Sequence, residues 1–205
     1  MIPSQHREPW NALIRGYSRL RLHLQFGPVR VHATGEAPAE SVLLVGNHFS
    51  WWDGFFAQEV NRRFFKKRMH VMMLEEQLRP RMFLSYAGAF SIAPGKRSAL
   101  NSLNYASQLL RDKGQLVVLF PQGELQPLYR FPLAFQQGWH RILKAEGVDA
   151  PLWFMATLPA FGDRPRAGVD IFIQAAPEAV RPHPEYITGA YNIFLQQCLQ
   201  KLPLL

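Results

Sequence analysis

Ser41-Val42-Leu43-Leu44-Val45-Gly46-Asn47-His48-Phe49-Ser50-Trp51-Trp52-Asp53 divides into two halves of different chemistry. The first is an apolar run of strand length, which reads as a buried strand over 41–46. The second opens on the polar pair Asn47 and His48, so the chain leaves the strand for a loop. Ser50 is a good N-cap and Asp53 stands three positions on, which predicts a helix over 51–62. A strand that runs into a loop and then a helix is the building unit of α/β folds, and such folds bind ligands at the loop beyond the strand's carboxyl end.

The spacing of His48 and Asp53 tests that geometry. On a continuous helix five residues turn through roughly 500°, leaving the two side chains about 140° apart. They meet only if His48 lies in the loop and Asp53 in the first helical turn. A carboxylate bonded to one imidazole nitrogen then fixes the tautomer and leaves the other nitrogen basic, which makes His48 a candidate general base. The bland alternative is a capping box formed by Ser50 and Asp53, with His48 an ordinary loop residue. No second histidine or carboxylate stands nearby at a ligand spacing, so a metal site is not expected.

Working outward, further buried strands are predicted over 69–74, 89–92, 115–120, 151–157 and 169–174, and helices over 76–87, 98–113, 135–146 and 185–201. The alternation predicts one α/β domain over 1–205, with a central, mostly parallel sheet flanked by helices. Residues 1–30 are expected to form an amphipathic N-terminal helical segment, because Trp10, Leu13, Ile14, Tyr17, Leu20 and Leu24 recur at helical spacing. That stripe suits a helix packed on the core and a helix lying in a membrane interface equally well.

The chain has 205 residues, 48% hydrophobic and 19% charged, which excludes global disorder. Its formal net charge of +8 calls for an anionic partner. A single cysteine, Cys198, excludes an internal disulfide and a cysteine-based zinc site. With no signal-peptide pattern and no apolar run of bilayer length, the expected location is cytoplasmic, peripheral on the inner face of a membrane. Two segments carry more than the whole charge: 7–30, with five basic residues against Glu8, and 62–81, with seven against Glu75 and Glu76. Within the second, Arg62-Arg63-Phe64-Phe65-Lys66-Lys67-Arg68 alternates cations with two rings and is expected to bind an anionic membrane, the rings inserted at the acyl boundary. Single-stranded nucleic acid is held by similar chemistry, but no nucleic-acid motif accompanies it, and none is expected as a partner.

A second motif, Phe120-Pro121-Gln122-Gly123-Glu124, follows the predicted strand 115–120 and places a turn at its carboxyl end. Taken together, Asn47-His48…Asp53 and Phe120-Pro121-Gln122-Gly123 resemble the glycerol-3-phosphate and 1-acylglycerol-3-phosphate acyltransferases, whose blocks read N-H-x-x-x-x-D and F-P-E-G-T-R-S. The resemblance implies that His48 and Asp53 are the catalytic pair, with His48 removing the proton of an acceptor hydroxyl as its oxygen attacks an acyl thioester. It implies acceptor contacts from Asn47, Ser50, Phe120, Pro121, Gln122, Gly123 and Glu124. It also implies no metal or bound organic cofactor, with acyl-CoA or an acyl carrier protein as donor.

Departures from the family accompany the match. Its second block reads G-x-x-x-I-D-R, whereas Gly88 here opens Gly88-Ala89-Phe90-Ser91-Ile92-Ala93-Pro94. Pro94 and Leu125 thus stand where the family carries arginines. Lys96 and Arg97 are the candidates to restore the charge, or else they simply open a solvated helix. The Pro-rich fourth block survives as Ala150-Pro151-Leu152-Trp153-Phe154. The expected activity is O-acylation of a lysophospholipid such as 1-acyl-sn-glycerol 3-phosphate. The alternatives are a neutral, amino or glycosylated lipid alcohol as acceptor and, from another class, a non-enzymatic module binding anionic lipid or nucleic acid.

Overall fold

A computed structural model describes residues 1–95, 98–180 and 183–202. Its elements in chain order are α1 (Trp10–Gln25), β1 (Val29–Thr34), β2 (Val42–Gly46), α2 (Asp53–Val60), β3 (Arg68–Leu74), α3 (Glu75–Leu78), β4 (Ala89–Ile92), α4 (Ser98–Arg111), β5 (Gln115–Leu119), α5 (Arg141–Lys144), β6 (Leu152–Ala160), β7 (Gly168–Ala175) and α6 (Pro184–Gln200). A π-helical turn, Asn61–Phe65, extends α2, and a 3₁₀ stretch, Arg79–Ala87, follows α3.

Seven strands form one sheet in the order β1-β7-β6-β2-β5-β3-β4. The five strands from β6 to the β4 edge run parallel, β7 returns antiparallel to β6, and β1 pairs parallel with β7. β2 is central, and both its faces are covered. Leu43 and Val45 join a core with Phe154, Phe194 and Leu103, while Val42 and Leu44 join a core with Phe56, Phe65 and Trp153. This is why the strand reads as an unbroken apolar run rather than as an alternation.

Several expectations are corrected. β1 carries no run of apolar residues because it is an edge strand, with three of its four last positions exposed, and its composition hid it. The segment 1–30 is not one helix: α1 is preceded by an extended strap and β1 begins at Val29. In the strap, the Ser91 N–H donates to Ile2 O and the Gln5 N–H to Ser85 O, both at 2.9 Å. Of the predicted helix 135–146 only Arg141–Lys144 forms. Phe135 and Trp139 are core residues held by loop, so their burial imitated a helical stripe. The apolar stripe of α1 faces outward: Trp10, Leu13, Tyr17, Leu20 and Leu24 are exposed, whereas Ser18 and Leu22 are buried.

Candidate active site

β2 ends at Gly46, and the next two residues are fixed by opposite neighbours. Asn47 is buried and doubly bonded to β6, its Nδ2 donating to Thr157 O at 3.0 Å and its Oδ1 accepting from the Thr157 N–H at 2.8 Å. This side chain continues the β2–β6 pairing by one step after the backbone has left it. His48 is held from the other side by the loop after β5. Its N–H donates to Gln122 Oε1 at 2.6 Å, and its carbonyl accepts from the Gln126 N–H at 2.9 Å and from Gln122 Nε2 at 3.3 Å.

With the backbone pinned, the imidazole is pinned as well. His48 Nδ1 lies 2.7 Å from Asp53 Oδ2, and the ring stacks on Phe120 with centroids 4.8 Å apart. His48 Nε2 has no hydrogen-bond partner among the described residues, and the side chain is partly open to solvent. The same Asp53 oxygen accepts the N–H groups of Phe49 at 2.8 Å and Ser50 at 3.0 Å. Asp53 is fully buried at the first position of α2, where its charge suits the helix dipole. Burial pushes its carboxyl above the ordinary range, against the His48, Ser50 and Phe49 bonds, which favour the charged form. Its Oδ1 is buried without a partner.

Ser50 is not the N-cap. The helix opens at Asp53, and Ser50 sits in the preceding turn, its Oγ accepting the Trp52 N–H at 2.9 Å. Asp53 thus accepts the Ser50 N–H and holds the imidazole at once, while the Ser50 half of a capping box does not form. Such a carboxylate-held imidazole, with its far nitrogen unengaged, can take a proton from a hydroxyl.

The other expected site residues separate into two sets. Phe120 packs on His48, Gly123 has φ +74° at the turn, and Glu124 is exposed, 3.1 Å from Gln126 Nε2. Asn47, Pro121 and Gln122 are buried. Asn47 and Gln122 spend their side-chain polar atoms on Thr157, His48 and Gln126. Lys96 and Arg97 lie outside the described residues. Thr157 and Gln126 were not legible as site residues, because each contributes backbone groups that any residue carries, Thr157 from 110 positions away.

The segment 62–68 is also corrected. Phe65 is 4% exposed, and Phe64 and Phe65 pack against Trp153 with centroids 5.4 and 5.3 Å away, so Phe65 belongs to the core and Phe64 lies half-buried beside it. Arg62 and Arg63 bind Glu59 at 2.8 and 2.6 Å. Burial works against the Glu59 charge, but those bonds outweigh it and hold its carboxyl below the ordinary range. Lys67 Nζ donates to Ala39 O at 3.2 Å, while Lys66 and Arg68 are exposed.

Among the described residues no helix is long and apolar enough to cross a membrane. The fold is similar to the crystal structure of PlsC, the 1-acyl-sn-glycerophosphate acyltransferase of Thermotoga maritima. The TM-score is 0.65 at 14% identity, covering 95% of this chain and 81% of that one. No curated protein matches the chain. The Acyltransferase family model matches residues 28–155, which hold both motifs and β1 to β5. With well over half of its 205 residues inside that match, the chain belongs to the Acyltransferase family.

Proposed function

We propose that this acyltransferase moves a fatty acyl group from an acyl thioester, on CoA or an acyl carrier protein, to the hydroxyl of a lysophospholipid such as 1-acyl-sn-glycerol 3-phosphate. His48 Nε2 takes the hydroxyl proton as the oxygen attacks the thioester carbonyl. The C–O bond forms, the tetrahedral centre collapses with cleavage of the C–S bond, and the imidazolium returns its proton to the departing thiolate. Asp53 stays ionised, orients the ring and stabilises the imidazolium. The carrying observation is the 2.7 Å contact of His48 Nδ1 with a fully buried Asp53, the opposite nitrogen being unengaged. The reaction takes place at an anionic membrane surface on which the chain rests peripherally, and the outward apolar side of α1 supports that placement.

The acceptor's phosphate has a competing reading. Pro94 and Leu125 are uncharged and lie beyond β4 and β5, which favours a neutral or glycosylated lipid alcohol. The test is acylation of both acceptor classes from palmitoyl-CoA and from palmitoyl carrier protein, with His48→Ala and Asp53→Asn alongside. His48→Ala is expected to lower kcat by about 10²–10⁴-fold at an unchanged melting temperature. Asp53→Asn falls in the same direction, because an amide donor facing Nδ1 forces the wrong tautomer. Near-normal turnover of His48→Ala overturns the mechanism, and exclusive use of unphosphorylated acceptors moves the substrate to the second reading.

A further inference from the structure

The large apolar side chains left exposed outside α1 and α6 are not scattered. Most of them sit in segments that leave the carboxyl ends of the central parallel strands, the end of the sheet that carries His48. Trp51 follows β2, Leu125, Leu128, Tyr129 and Phe131 follow β5, and Phe161 follows β6. Loops are ordinarily polar, and a set of exposed large hydrophobics on one edge marks a contact surface.

The segment after β5 is the most developed of these. It is tied at its start by the Gln126 N–H to His48 O at 2.9 Å. Its far end is tied by Leu133, whose N–H donates to Asn192 Oδ1 and whose carbonyl accepts from Asn192 Nδ2, both at 2.9 Å. Between these anchors Pro127–Arg130 makes a tight turn closed by the Arg130 N–H to Pro127 O at 3.0 Å. That turn puts Leu128 and Tyr129 at its tip, with Tyr129 89% exposed. Its neighbour Gln126 is buried against Gln122. Inward polar and outward apolar groups are the reverse of a solvated loop, and the anchors keep the tip from folding onto the core.

We propose that this loop is a membrane-docking lip, which inserts Leu128 and Tyr129 into the headgroup region of an anionic bilayer so that the acceptor reaches His48 without leaving the interface. The proposal rests on the acyl-transfer reading. The chemistry of the tip favours a lipid surface over a protein partner: tyrosine and leucine beside the exposed Arg130, whose one carboxylate neighbour among the described residues is the equally exposed Glu124 at 3.9 Å, suit a boundary that is apolar below and anionic above. The chain's charge of +8 acts in the same sense. The apolar surface also continues past the catalytic loop by ring contacts, from Trp51 to Phe55 at 4.8 Å and from Phe55 to Tyr17 of α1 at 6.1 Å. The lip and α1 therefore flank the His48 loop from two sides.

The test uses the full chain and the double variant Leu128→Ser, Tyr129→Ser, which alters only the tip. Co-sedimentation with phosphatidylglycerol–phosphatidylcholine vesicles, free of substrate, is expected to weaken about tenfold. Turnover of a lysolipid acceptor embedded in those vesicles should fall by a similar factor, while a short-chain acceptor, dispersed as monomers, is used at the wild-type rate. Unchanged vesicle binding overturns the lip, and so does an equal loss on monomeric and embedded acceptors, which would place the loop in the chemistry instead. If the wild-type protein binds vesicles through the tip yet acylates neither acceptor, the activity reading fails and the lip stands.

Discussion

Gln122 shows at the scale of one residue how a site is held without touching what reacts. Its amide accepts from the His48 N–H and donates to the His48 carbonyl, and the Gln126 Oε1, 3.1 Å from Gln122 Nε2, extends the chain. Removing the amide strands a buried N–H, a loss of about 1–3 kcal/mol. Gln122→Ala is therefore expected to lower kcat roughly tenfold with little change in KM for the donor, because it loosens the general base and not the binding surface. Gln122→Glu keeps the acceptor for the His48 N–H but loses the donor to the His48 carbonyl and Gln126, so it should recover part of the rate, and a recovered rate separates positioning from bulk loss of structure. If Gln122→Glu is as slow as Gln122→Ala, the clamp is not what matters. The sequence reached Gln122 as part of a motif but not this role, since a side chain's direction at a strand end is set by what packs opposite.

At the scale of an element, the stretch after α2 carries the sharpest disagreement between composition and fold. Two phenylalanines among five cations have the composition of a membrane-contacting segment. The π-turn Asn61–Phe65 and the left-handed Lys66, at φ +53°, nevertheless rotate the rings onto Trp153 and leave the cations outside. Asn61 fastens the turn, its side chain bonding Lys67 N at 2.9 Å and Lys67 O at 2.8 Å. Phe65→Ala is expected to cost about 3–5 kcal/mol, read as a lowered denaturant midpoint. Lys66→Glu, with its side chain exposed, should leave that midpoint nearly unchanged. A Phe65→Ala protein as stable as wild type would mean that the ring is not core. Burial of this kind is invisible to a reading of residue types, because the extra residue of a π-turn shifts every following side chain around the helix axis.

On the scale of the whole molecule, the N-terminal strap joins parts of the chain that no local pattern connects. Ser4 Oγ lies 2.8 Å from His70 Nδ1 and 2.9 Å from Tyr105 Oη, and His6 stacks edge-on against His70. Burial, then the charges of His70, Arg68 and Arg15, push the His6 imidazole down to about 3 from 6.5. Burial and Arg68 lower His70 too, against the bond to Gln115. The folded strap thus binds fewer protons than the unfolded chain, and its contribution to stability falls as pH drops from 6.5 toward 3. His6→Asn, which tolerates the positive φ, removes that proton uptake, so the melting-temperature advantage of wild type over the variant should shrink on acidification. A difference independent of pH would sink the assignment. The sequence by itself determined the central strands, the helices that follow β2 and β4, and the pairing of two motifs. Burial on both faces forces a continuous apolar run, and a loop at a strand end is punctuated by residue type. Only the tertiary structure decided that β1 is an edge strand, that the rings of Phe64 and Phe65 turn onto Trp153 and that the stripe of α1 faces out. Each of these depends on which face of an element finds a partner, and a partner distant in the chain leaves no mark in the local pattern.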